Sequence, residues 1–129
     1  MQFMKRDFSA IMRLGMAFIS ASDNPRNEKA AQTLVYSFKP FVPEDQIESV
    51  LLLANHLDFD TAAAAVVNLG EEEYDWASEL IYKVATIDSE MNQEQQRLWE
   101  RLEDIYWEYQ EPDDNGAYEL KVPDFATAV

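Results

Sequence analysis

Two short polar segments of the sequence contain carboxylates at spacings that could coordinate a divalent cation. The second segment has Asp88, Glu90 and Glu94, with Asn92 between the two glutamates, and the first segment has Asp23. Calcium loops of the EF-hand kind draw carboxylate and amide oxygens from alternate positions of the chain. The four acids are therefore the candidate metal ligands, and no cofactor is expected other than a divalent cation bound by them.

The same segments lack residues that an EF-hand loop requires. With Asp88 as loop position one, Gln93 occupies position six, where glycine makes a sharp turn, and Trp99 occupies position twelve, where a bidentate glutamate belongs. In the first segment, Pro25 and Leu34 stand at positions three and twelve. Neither segment is therefore expected to be an EF-hand.

An alternative role for the two segments is to start helices. Asn27 and Asn92 each precede an amphipathic run, and an Asn at the N-cap accepts from a first-turn amide, which contributes roughly 1 kcal/mol. Gln95 stands three residues after Asn92, so its side chain can return to the Asn92 amide in a capping box. Ala30 occupies the corresponding place in the first segment, where the box is half formed. We favour this capping role for Asn27, Asn92 and Gln95 over metal binding.

Apolar residues recur at helical spacing in six stretches, which predicts an all-α chain. The first helix is expected over residues 4–21, and the second has Ala31, Leu34, Val35 and Phe38 facing the core. The third begins at Pro43, and the fourth is capped by Asp58 or Asp60 and ended by Gly70. The fifth opens with Glu71, and the sixth covers residues 93–109.

The order of these elements predicts the architecture. Each polar segment joins two helices, so the chain is expected to be a single-domain helical bundle of two helix–loop–helix units with two further helices between them. Residues 1–110 are expected to form this helical domain. Residues 111–129 contain turn formers and two prolines without a helical period, and they are expected to form an irregular, extended C-terminal tail.

Composition limits the functions that the chain can have. The net charge is −15, and residues 41–129 hold 22 acids against four bases. Such a surface repels nucleic acids and anionic membranes and suits a basic partner protein. There is no cysteine, and His56 is the only histidine, so thiolate catalysis and histidine-rich metal sites are excluded. No apolar run is long enough for membrane insertion, and the N-terminus is interpreted as a core helix; a cytoplasmic location is expected.

The sixth predicted helix concentrates aromatic residues among acids. Trp99, Tyr106, Trp107 and Tyr109 cannot all be buried along one narrow stripe together with the aliphatic residues of the same helix. Exposed aromatic residues surrounded by acids are typical of a protein–protein interface. These four residues are therefore the candidates for binding a partner protein.

On these segments the chain resembles the TerB-like family, the helical domain of tellurite-resistance TerB proteins and of certain DnaJ-like co-chaperones. The family repeats an element in which a helix ends in Ala-x-x-Asp-Gly and the next helix opens with Ser-x-x-Glu. In this sequence the element corresponds to Ala85, Asp88, Asn92 and Gln95, and a weaker copy corresponds to Ser20, Asp23 and Asn27. The glycine of the family is replaced by Asn24 and Ser89, and its glutamate by Ala30 and Gln95.

The resemblance implies a stress-associated interaction or scaffold module without catalytic activity. It also implies metal binding through acidic loops, a role that is weakened here because the glutamate of the motif is absent from both copies. Two alternatives remain beside the scaffold role: a divalent-metal-binding module, and an acidic immunity or inhibitor protein for a basic partner. The oligomeric state does not follow from the sequence.

Overall fold

The structure is a computed structural model that describes residues 1–110. Within this range the chain forms six α-helices and one 3-10 turn, and no strand. In chain order these are α1 (Lys5–Ser20), α2 (Glu28–Phe38), the 3-10 turn (Glu44–Gln46), α3 (Ile47–Ala54), α4 (Phe59–Val67), α5 (Glu71–Ala85) and α6 (Gln93–Gln110). The prediction of an all-α helical bundle is confirmed. The predicted tail, residues 111–129, lies outside the described residues.

Helix α1 is the centre of the bundle. It contacts α2, α3, α4 and α5, so apolar residues are buried around most of its circumference. Two polar side chains inside it have partners: the Ser9 hydroxyl donates to the Val50 carbonyl at 3.1 Å, and the Asp7 carboxylate accepts from the Met4 amide at 2.6 Å. Because these polar groups are hydrogen-bonded, their burial does not carry the full desolvation cost.

Gly15 allows α2 to approach α1 closely. A Cβ atom at position 15 would lie 2.6 Å from Cδ2 of Leu34, which is far inside van der Waals contact. Leu34 is itself buried and fills the space that the missing side chain leaves. The close approach of these two helices places the loop that joins them, residues 21–27, against the end of the bundle.

The buried face of α2 differs by one residue from the prediction. Ala30, Leu34 and Phe38 are buried, Val35 is half-buried, and Ala31 is exposed. The prediction for Ala31 is wrong because the buried residues follow a spacing of four, and a residue one position further is rotated by about 100° toward solvent.

The starts of the two following helices are set by local hydrogen bonds. A 3-10 turn follows Pro43 and leads into α3. Asp58 is the N-cap of α4, where its Oδ1 accepts from the Thr61 amide at 2.7 Å. Asp60 instead accepts two hydrogen bonds from the Arg101 guanidinium, at 3.1 and 2.6 Å, which joins α4 to α6.

Within residues 1–110, none of the helices combines the length and the apolar character that crossing a bilayer requires.

Candidate functional site

The two polar segments lie side by side at one end of the bundle and exchange hydrogen bonds. Nδ2 of Asn27 donates to the carboxylate of Asp88. Nδ2 of Asn92 donates to Oδ1 of Asp23 at 3.2 Å and to the Ala21 carbonyl at 2.8 Å. The Asn of each loop thus contacts the Asp of the other loop. We call residues 21–27 and 86–92 together the paired loops.

The same asparagines begin helices. Oδ1 of Asn27 accepts from the Ala30 amide at 3.1 Å, and Oδ1 of Asn92 accepts from the Gln95 amide at 2.8 Å. Oε1 of Gln95 accepts in return from the Asn92 amide at 3.0 Å, which completes a capping box at the start of α6. Each Asn side chain therefore has its oxygen on its own helix and its nitrogen on the opposite loop.

Gln95 extends this arrangement into the interior. Its side chain is only 2% exposed, and its Nε2 donates to the Phe18 carbonyl at 3.0 Å and to the Ala85 carbonyl at 3.2 Å. Carbonyls in the last turn of a helix have no amide partner four residues further along the chain. One amide side chain therefore joins the ends of α1 and α5 to the start of α6.

The paired loops place amide donors where a cation would need acceptors. Asp23 and Asp88 each face an Asn Nδ2 group, and the cavity between the loops has a volume of about 60 Å³. Glu90 and Glu94 are exposed. Within residues 1–110, no three Asp, Glu or His side chains are grouped so that they could hold a metal ion. The metal role of these four acids stays a prediction that a titration can test.

The single imidazole, that of His56, lies on the surface, and the carboxylates nearest to it in the sequence have other hydrogen-bond donors. His56 is exposed and follows the end of α3. Asp58 and Asp60, the acids nearest to it in the sequence, accept from the Thr61 amide and from Arg101. These hydrogen bonds lower the pKa of both carboxyl groups below the ordinary range. Both carboxylates therefore have hydrogen-bond donors other than the imidazole.

The aromatic residues of α6 divide between the core and the surface. Trp99 is half-buried, and its ring lies 6.1 Å from Phe18 and 5.6 Å from Tyr82. Trp107 is 58% exposed, and its ring meets Tyr106 edge-on with centroids 5.3 Å apart. Tyr106 and Tyr109 are half-buried. Of the four predicted partner-binding residues, Trp107 presents by far the most surface, whereas Trp99 belongs to the edge of the core.

Tyr106 also forms one wall of an open pocket between α5 and α6. Its ring lies 4.8 Å from the ring of Tyr74 at an angle of 32°. The pocket has a volume of about 250 Å³, and the residues that line it are Val67, Leu69, Glu71, Tyr74, Asp75 and Tyr106. We call it the acidic aromatic pocket, because its lining includes two tyrosine side chains and two carboxylates, and both carboxylate residues are exposed.

The electrostatics of the acidic aromatic pocket favour a cation. The pKa of Tyr74 is raised to about 12, first by burial and then by the nearby Tyr106, Glu103 and Asp75 groups. Burial itself disfavours any charge, so the attraction for a cation comes from the Glu103 and Asp75 carboxylates, whose negative potential also opposes ionisation of the phenol. The faces of tyrosine rings add a cation–π attraction for Arg or Lys side chains.

Tyr74 and Glu71 were not predicted as site residues. In the segment that begins at Gly70, three glutamates precede Tyr74, which is the pattern of a solvated helix start. The partner of Tyr74 is Tyr106, which follows 32 residues later in the chain. The sequence indicated this pocket only through the excess of aromatic residues on α6. Some of these residues must be covered by another helix, and Tyr74 belongs to the helix that does so.

Comparison of the chain with protein-family models, with curated proteins and with solved structures gives no match.

Proposed function

We propose that the chain is a non-catalytic interaction module that binds a basic segment of a partner protein. The binding surface is the acidic aromatic pocket together with Trp107. The observation that supports this role is the exposed indole of Trp107 beside a pocket whose walls are aromatic and whose rim is acidic. The resemblance to TerB-like domains predicts an interaction module of the same kind.

An arginine side chain of the partner is the group that fits the pocket best. Its planar guanidinium can stack on a tyrosine ring while its N–H groups donate to carboxylates, which a lysine ammonium does with less directional specificity. The rings of Tyr74 and Tyr106 pack against each other with centroids 4.8 Å apart, so a guanidinium would stack on a face outside this pair, and Glu71 and Asp75 offer the acceptors. Trp107 then covers the apolar part of the bound segment and excludes water from the ion pairs.

The acids around the pocket determine how fast and how selectively the partner binds. Glu103, Asp104 and Glu108 are exposed on α6 on both sides of Trp107. A field of one sign accelerates the encounter with a basic segment and repels acidic proteins. Binding is therefore expected to weaken as the salt concentration rises, because mobile ions screen exposed charges.

The proposal is tested with a fluorescein-labelled arginine-rich peptide whose anisotropy is measured as the protein is added. Trp107→Ala is expected to weaken binding about tenfold, since exposed aromatic residues at the centre of an interface commonly contribute 1–2 kcal/mol or more. Glu71→Gln removes one rim carboxylate and is expected to weaken binding about two- to fivefold.

The matched control is Glu28→Gln, which removes the same charge from an exposed position on α2, a helix that does not line the pocket. It is expected to change the affinity less than twofold. A peptide with citrulline in place of arginine keeps the shape of the side chain and loses its charge, and it should bind weakly. Equal effects of Glu71→Gln and Glu28→Gln would show general attraction to an acidic protein and would refute a specific pocket.

A further inference from the structure

The outward face of α3 carries apolar side chains that the bundle does not cover. Val50 and Ala54 are buried against the core, and α3 packs on α1. Leu52 is 58% exposed and Leu53 is 40% exposed. Each residue of an α-helix is rotated by about 100° from the one before it, so Leu52 lies on nearly the opposite side of the helix from Val50. The side chain of Leu52 therefore points away from the bundle.

Glu48 and His56 lie on the same outward line as Leu52, one turn before it and one turn after it. After Ala54 the chain makes one more turn, in which the Asn55 amide donates to the Leu51 carbonyl at 3.1 Å and the His56 amide donates to the Leu53 carbonyl, three residues back, at 3.0 Å. Glu48 and His56 are both exposed. We call Glu48, Leu52 and His56 the α3 stripe, which has an acceptor at one end, an apolar centre and an imidazole at the other end.

We propose that the α3 stripe joins two copies of this chain in an antiparallel contact. A two-fold axis at Leu52 packs this leucine against Leu52 of the second copy. The stripes then run in opposite directions, so Glu48 comes beside His56 of the second copy, whose imidazole N–H donates to the carboxylate. Because the contact is isologous, the same pair forms a second time across the axis.

The charge distribution favours a second copy as the occupant of this face. Two molecules with a net charge of −15 repel each other wherever acids face acids. Helix α6 exposes five acids, whereas α3 exposes one, Glu48, which the stripe pairs with His56; the 3-10 turn before α3 exposes two more, Glu44 and Asp45. The order acid, leucine, imidazole along the α3 stripe is complementary to the same order running in the opposite direction, which an isologous contact requires.

The contact is small, so its strength is limited. One exposed helix face buries less than the roughly 1,200 Å² that stable protein–protein interfaces bury. The dimer is therefore expected to form in a concentration-dependent equilibrium. Peptide binding at the acidic aromatic pocket does not involve α3, so failure of one proposal leaves the other unaffected.

Sedimentation velocity over a series of protein concentrations tests the dimer with the full chain. Leu52→Asp is expected to weaken the dimer about tenfold or more, since it removes the apolar centre and places two carboxylates on the axis. Because Leu52 is exposed, the variant is expected to fold, and its circular dichroism and melting temperature verify this. The matched control is Tyr36→Asp, at a 63% exposed aromatic residue on α2, which should leave the dimer unchanged.

A charge exchange identifies the pairing itself. Glu48→Lys and His56→Glu should each weaken the dimer, by about two- to thirtyfold, because each alters two symmetry-related pairs. The double variant E48K/H56E restores opposite charges at both ends and should regain most of the affinity. A merely structural effect of either substitution would be retained in the double variant, so absence of this recovery contradicts the antiparallel register.

The absence of natural cysteine permits a direct geometric test. Leu52→Cys should form disulfide-linked dimers under mild oxidation at a rate far above that of Tyr36→Cys, because only position 52 meets itself across the axis. Equal cross-linking of the two variants, or a monomer at every protein concentration, overturns the proposal.

Discussion

Replacing Gln95 by Met removes a hydrogen-bonding side chain from the interior while keeping its length and approximate volume. Three hydrogen bonds are lost: from the Asn92 amide to Oε1 at 3.0 Å, and from Nε2 to the Phe18 and Ala85 carbonyls at 3.0 and 3.2 Å. The structure predicts that this change loosens the ends of α1 and α5 and the start of α6 together, because one side chain contacts all three helices.

The size of the effect follows from the burial of the groups that lose a partner. A typical hydrogen bond contributes a net ~1 kcal/mol, and a buried carbonyl left without a donor costs about 1–3 kcal/mol. Gln95 is 2% exposed, so water does not easily replace it. The apolar methionine side chain recovers part of the loss. We expect a net decrease of about 2–4 kcal/mol in the free energy of unfolding.

Urea unfolding followed by tryptophan fluorescence and by far-ultraviolet circular dichroism measures this decrease. The control is Gln96→Met, since Gln96 is exposed and its Nε2 donates to the Met91 carbonyl at 3.3 Å. The control should change the free energy of unfolding by less than about 0.5 kcal/mol. If Gln95→Met and Gln96→Met unfold at the same urea concentration, the buried amide does not stabilise the bundle and the reasoning is wrong.

A second substitution at the same position separates the acceptor from the donor role. Gln95→Glu keeps an oxygen for the Asn92 amide but turns a carboxylate toward two carbonyl oxygens in a buried place. Burial and these carbonyls raise the pKa of the new carboxyl group in the folded state above its unfolded value. The variant should therefore be destabilised at neutral pH and should regain stability as the pH falls toward the unfolded pKa. A loss of stability that is independent of pH contradicts this assignment.

Three further predictions concern other contacts. Gly15→Ala should lower the free energy of unfolding by about 1–3 kcal/mol, since the new Cβ would lie 2.6 Å from Leu34, and thermal unfolding measures the loss. Arg101→Met should raise the pKa of Asp60, because hydrogen bonds from Arg101 hold that pKa below its ordinary value, and an NMR titration measures the change. The variant should be less stable than the wild type at neutral pH, and the difference should vanish in acid as Asp60 is protonated, which urea unfolding at several pH values can show. Asp88→Asn should lower the melting temperature, whereas calcium and manganese should shift that temperature equally little in both proteins; a metal shift that the variant abolishes would establish the metal role instead.

The local features of the fold could be predicted from the sequence because they depend on residues close together in the chain. The capping box of α6 involves Asn92 and Gln95, which are three residues apart, and the structure has both of its hydrogen bonds. For the N-cap of α4 the sequence indicates two candidates, Asp58 and Asp60. The structure has Asp58 as the N-cap, whereas the carboxylate of Asp60 accepts hydrogen bonds from Arg101, a residue 41 positions away that local sequence does not indicate.

The contacts between the paired loops could not be predicted, because they depend on where helices end in space. Asn27 and Asp88 are separated by 61 residues, and Asp23 and Asn92 by 69. Their similarity in sequence suggested a common local role, but not that each loop would supply the hydrogen-bonding partner of the other. That outcome requires α1 and α5 to end at the same end of the bundle, which only the packing of the core determines.

The candidate site was predicted in part, for a related reason. The excess of aromatic residues on α6 indicated that some would be exposed, and Trp107 is. Which of them would turn inward depended on neighbours from other helices: Trp99 packs against Phe18 and Tyr82. Spacing along one helix gives the directions of side chains, but the helices that cover them come from distant parts of the chain.

The most direct test of the proposed function is an NMR titration of the isotope-labelled chain with the arginine-rich peptide. Binding at the acidic aromatic pocket predicts that the largest shift changes occur at Tyr74, Tyr106 and the indole N–H of Trp107, and that the paired loops, which also contain exposed acids, change little. Shift changes spread over all exposed acids in proportion to their local density would contradict the proposal, because they would show attraction to net charge without a binding site.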